Sequence, residues 1–148
     1  MTENSSTNEL IPLENVVLKH ANAGIALGAE QRFAESLEQW RLAAQLADAN
    51  LEGEDLYYWV KGGYGAALHD VGRHRESIAV SKLVREWTLS LRQPLASMTI
   101  ARAYLALGEA ENAYPHIQDV HRLTGDEVFN LFERRYEADI RVALAAKA

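Results

Sequence analysis

The residues whose types could carry chemistry are few and poorly assembled. Five histidines occur, His20, His69, His74, His116 and His121. A zinc site on a helix wants ligands one turn apart, at i and i+4, so that two imidazoles face one ion. His69/His74 and His116/His121 are each five apart, which turns the second ring about 140° from the first on an ideal helix. The first pair also straddles an expected turn. These histidines read as solvated or core-edge residues. The run Gly62-Gly63-Tyr64-Gly65 is dense in glycine, but it lacks the Gly-Lys-Ser/Thr ending and the preceding strand of a phosphate loop. Each glycine in a helix costs about 1 kcal/mol against alanine. Something should therefore approach this backbone closely, either a neighbouring helix or a bound peptide. Glu52, Glu54 and Asp55 fall in an expected loop and read as solvated. The chain has no cysteine, which excludes disulfides, thiolate metal sites and cysteine nucleophiles. No nucleophile-elbow pattern frames a serine. No catalytic constellation, metal site or cofactor is expected, and the chain reads as a non-enzyme.

The elements that would position such residues are helices. At 148 residues a single domain can bury roughly two-thirds of its unfolded surface. Hydrophobic residues make up 48% and charged residues 24%, a globular balance. Three prolines and nine glycines are few, and the abundant alanine and leucine favour helix. No stretch alternates cleanly, so strands are not expected. Apolar spacing predicts seven helices, over about 13–27, 33–47, 56–70, 75–91, 94–107, 112–123 and 126–146. The second shows the pattern well, with Phe33, Leu37, Trp40, Ala44 and Ala47 on one stripe. Pro115 predicts that the sixth helix starts near Asn112 or is kinked there. Thr124 and Glu127 have the spacing of a capping box. Residues 1–10 read as a disordered tail, and residues 11–148 as one helical domain.

Charge limits the partners. Net charge is −6, unfavourable for nucleic acid, whose phosphates need Lys and Arg. It is unevenly spread: net −7 over residues 1–55, +4 over 56–108 and −3 over 109–148. That pattern suits an acidic partner or head-to-middle self-association, or is ordinary surface variation. No apolar run reaches the roughly 18–20 residues of a membrane span. The first nine residues lack the basic and apolar regions of a secretory leader, so a cytoplasmic location is expected.

Three segments superimpose. Arg32-Phe33-Ala34-Glu35-Ser36 aligns with Arg73-His74-Arg75-Glu76-Ser77 and with Glu109-Ala110-Glu111-Asn112-Ala113. Gly24, Gly65 and Ala101 share a slot upstream, and Leu27, Leu68 and Tyr104 share another three residues on. The offsets are 41 and then 36 residues. Small residues at 24, 65 and 101 and at 36, 77 and 113 suit helices that cross closely. Large ones such as Trp40, Leu68, Tyr104 and Ile117 would fill the space between hairpins.

This pattern resembles the tetratricopeptide repeat (TPR), in a degenerate and lengthened form like that of bacterial regulators and peptide sensors. The resemblance covers about residues 17–127. It implies an all-α, right-handed superhelix of about three helix-turn-helix repeats, near 17–50, 58–91 and 94–127. A capping helix near 126–146 would close it, because the last unit of such a stack otherwise exposes its core side. The sequence departs from the family at the first-helix tryptophan slot, which holds His20, Lys61 and Ser97.

The resemblance also implies a function: an interaction scaffold whose first helices line a concave groove. Carried over slot by slot, the lining is Leu18, Asn22 and Ile25, then Trp59, Gly63, Ala66 and His69, then Leu95, Met98, Thr99, Arg102 and Leu105. Only Asn22 and Arg102 resemble the family's clamp for a terminal carboxylate, so the groove reads as mostly apolar. Trp59 and Met98 suit an apolar peptide or a partner helix, and Arg102 suits an acidic group on it. A protein or peptide partner, or a second copy of the chain, is expected, without nucleic acid or membrane. Alternatives are a small secretion-type chaperone and a ligand- or peptide-sensing regulator. The same apolar residues would also be explained by burial beneath the N-terminal segment or a second chain.

Overall fold

A computed structural model describes residues 12–146; the tail expected over 1–10 lies outside the described residues. The fold is all-α, with no strand among the described residues. Three hairpins follow one another: α1 (Pro12–Ala29) with α2 (Phe33–Asn50), α3 (Asp55–Asp70) with α4 (His74–Ser90), and α5 (Leu95–Ala106) with α6 (Ala110–Thr124). Two short 3-10 turns, Gly125–Asn130 and Arg134–Tyr136, lead into α7 (Glu137–Ala145).

The turns inside the three hairpins are built alike. The amide of Arg32 donates to the Leu27 carbonyl, that of Arg73 to Leu68 and that of Glu109 to Tyr104, each at 2.9 Å. The residue before each donor takes a left-handed φ, 63° at Gln31, 86° at Gly72 and 76° at Gly108. Glycine adopts that conformation without a Cβ clash, and Gln31 does not. Above the turn, the Ser36 hydroxyl donates to the Gly24 carbonyl and the Ser77 hydroxyl to the Gly65 carbonyl, both at 2.7 Å. Ala101 and Ala113 are buried in the same slots of the third hairpin. The extra length in the first offset lies mostly in α3. Ten residues separate Asp55 from Gly65, whereas six separate Leu95 from Ala101. So α3 begins about one turn earlier than α5 does.

Two apolar cores result. One joins the first two hairpins through Val17, Leu37, Trp40, Val60 and Leu68. The other joins α5, α6, the 3-10 turns and α7 through Ile100, Ile117, Val128, Phe132 and Ile140. The buried Asp119 carboxylate ties three helices together. It accepts from Arg85 Nε at 2.9 Å, from Ser97 Oγ at 2.8 Å and from Arg122.

Two expectations, the single closing helix and the Thr124 capping box, need correction. The closing segment is not one helix from 126 to 146. Gly125 has φ 64° and Glu133 is extended with ψ 146°, so the chain turns twice before α7. The Thr124 hydroxyl donates back to the Val120 carbonyl at 2.8 Å and caps nothing. The sixth helix starts at Ala110, two residues before Asn112, with Pro115 inside it. Pro115 and Glu111 both lie on the exposed face, so the carbonyl left without a donor is on the side that meets water.

Candidate functional site

Trp40 creates an apolar concavity between the first two hairpins. Its indole stands between Gly24 of α1 and Gly63 of α3. A Cβ on Gly24 would lie 2.6 Å from Nε1, and one on Gly63 would run into the ring. This is the close approach that the glycine run required. Gly65 meets Ser81 and Ser77 of α4 in the same way, while Gly62 has ordinary space. With an indole wedged between them, α1 and α3 touch only sparsely.

The gap they leave is a cleft of about 310 Å³. Gly63 and Trp40 contribute to its lining together with Ile25, Trp59, Ala66 and Asp70. Ile25 is 51% exposed and Trp59 37%, so both present apolar surface to solvent beside the cavity. Trp59 and Trp40 meet edge-to-face, 5.8 Å between ring centres. On its other side Trp59 borders a second recess, of about 380 Å³, shared with Leu18, Leu56, Trp87 and Asp55.

A third cavity, of about 390 Å³, is polar and lies between the ends of α3 and α5 and the closing segment. His69, Asp70, Arg102 and Glu133 face it. His69 and His74 do not diverge as helix geometry suggested, because His74 begins α4 beyond the turn. Their Nδ1 atoms are 3.0 Å apart, so one donates and the other accepts. Burial, with His74 and Arg102 nearby, pushes the His69 pKa down to about 4. Asp70 is exposed, yet its concave surroundings push its carboxyl pKa up by desolvation, against the pull of Arg102.

The expected groove lining is thus divided. Ile25, Trp59, Gly63, Ala66 and Leu95 come together in the first cleft, and Leu18 joins Trp59 in the second recess. His69 and Arg102 belong to the polar cavity. Arg102 is already engaged, donating to the Leu131 carbonyl from Nε at 3.1 Å and from Nη2 at 2.5 Å, with its guanidinium over Phe132. Met98 packs against the second core. Thr99 and Leu105 are buried, and Asn22 is exposed but lines neither apolar recess. Asp55, Asp70 and Trp87 were missed as lining residues. The one available signal was the longer first offset, since the added turn of α3 carries Asp55 to Trp87.

The chain matches no protein-family model and no curated protein sequence.

Proposed function

We propose that the chain is a partner-binding scaffold of TPR-like design, a right-handed superhelix of three hairpins closed by α7. Its cleft between α1 and α3 receives an apolar side chain from a protein or peptide partner. The observation that carries this reading is the pair Ile25 and Trp59, both substantially exposed on either side of a preformed cleft floored by Trp40. Aromatic side chains beside a concave, desolvated site are the usual energetic centres of recognition. A cleft of about 310 Å³ lies at the lower end of the range for small-ligand pockets, so one or two side chains fill it. The work of the chain on this reading is binding, without turnover.

The test is selection of peptides from a random display library on the immobilised protein. Selected peptides share an apolar anchor, and Ile25→Asp and Trp59→Ala each weaken them at least about tenfold while helical circular dichroism is kept. Selected peptides that bind both variants as well as the parent would remove the cleft from the proposal.

A further inference from the structure

We propose that the recess between Trp59 and Trp87 is a cation site, which takes the guanidinium or ammonium group of a basic side chain on the partner. It rests on the reading of the neighbouring cleft as partner-binding, and it names the partner's chemistry: an apolar anchor accompanied by a basic residue.

The walls are preorganised. Trp87 Nε1 donates to Asp55 Oδ1 at 3.1 Å. The Tyr58 ring stacks on Trp87 at 5.6 Å between centres, with 20° between planes. Trp87 is therefore held from two sides by the extra turn of α3. Trp59, Leu18 and Leu56 complete the lining. Such walls favour one kind of occupant. An indole presents its negative π-face to a cation. The leucines suit the aliphatic stem of lysine or arginine, which buries its methylenes while the charged head stays near water. The walls are almost wholly apolar, and Asp55 supplies a counter-charge at the exposed rim, with one oxygen engaged by Trp87 and the other without a hydrogen-bond partner among the described residues. Among the described residues, no basic side chain lines the recess.

Charge narrows the occupant further. Residues 1–55 carry net −7, and the N-terminal residues 1–11 contain Glu3 and Glu9 but no Lys or Arg. The chain's own tail is thus a poor match, and a separate basic partner is a good one. Spacing adds a constraint. Leu18 in this recess and Ile25 in the cleft are seven residues apart on α1, about 10 Å along its axis. An extended peptide covers about the same distance in three residues. The basic residue therefore sits about three positions from the apolar anchor.

The three tryptophans give three indole N–H signals for nuclear magnetic resonance. Titration with N-acetyl-L-arginine methylamide shifts the Trp59 and Trp87 signals and leaves Trp40 in place. Asp55→Asn keeps an oxygen to accept from Trp87 but removes the charge, and it weakens the response about three- to fivefold. The uncharged norleucine analogue gives no comparable shift at Trp87. Absence of a shift with the arginine probe, an equal shift with norleucine, or an unchanged response in Asp55→Asn overturns the cation site. N-acetyl-L-leucine methylamide tests the cleft separately, through Trp40 and Trp59. Its failure alongside an intact arginine response removes the apolar cleft and spares the cation site. Self-association of the chain that Asp55→Asn abolishes would reassign the recess to a second copy and overturn the separate partner.

Discussion

The seam between α1 and α3 is open, and the seam between α3 and α5 is packed up to the polar cavity at its end. The hairpins on either side share the same turn, and the first two share the same serine-to-carbonyl hydrogen bond. The difference is one slot. Four residues after Ser36 stands Trp40; four after Ser77 stands Ser81. Trp40 holds α1 away from α3, with glycine on both sides to admit it. Ser81 is fully buried and so small that α5 comes into direct contact with α3. The third hairpin has Ile117 at that slot, and the closing segment covers it. The cleft is therefore a product of one oversized side chain, and not of the repeat as such.

Truncating the wedge should have the largest effect. Trp40→Ala is expected to cost about 3–5 kcal/mol and to abolish binding in the cleft, read by urea denaturation and by the selected peptides. A loss under about 1 kcal/mol would mean that some other contact holds the seam, since buried aromatic truncations cost several times that.

A smaller effect separates two adjacent glycines. Gly63→Ala pushes a methyl into the Trp40 ring and should destabilise by about 1–3 kcal/mol. Gly62→Ala meets Leu95 at an ordinary 3.6 Å and should stabilise by about 0.5–1 kcal/mol. Equal changes at both positions would contradict the wedge.

The smallest effect at neutral pH is the acid response, which compares the two cores. Burial pushes His116 down to about 4, with Arg85 adding to the shift, and its Nδ1 has no hydrogen-bond partner among the described residues. His69 is depressed to about 4 as well. Both values lie below the ordinary 6.5, so the unfolded chain binds more protons in between. Stability is therefore full above pH 6.5 and falls as pH drops toward 4. His116 lies in the second half, and His69 faces the cavity beside it. Hydrogen exchange near pH 4.5 should thus rise first in α5 to α7. His116→Phe should flatten the loss, and an unaltered pH profile in that variant would rule His116 out as its source.

Much of the scaffold was legible beforehand. The first six helices start and stop within about three residues of their expected limits, because the 3.6-residue period and the Gly72, Gly108 and Gln93-Pro94 breaks act locally. The groove was legible only in part. Helical slots place Ile25, Trp59, Gly63 and Ala66 on one side, and they do share a cleft. The same slots gave Arg102 as a ligand group, but it is engaged by Leu131, 29 residues away. No local pattern reports a contact that depends on how the closing segment bends.

The sequence by itself determined the all-α class, the hairpin turns and the small residues at the crossing points, since each depends on backbone preferences within a few positions. Tertiary structure decided which seam stays open, where Arg102 is spent, and that His69 meets His74. It also brought Asp55, from what read as a solvated loop, against Trp87. Those outcomes depend on side-chain volume and distance across helices, which chain spacing does not encode.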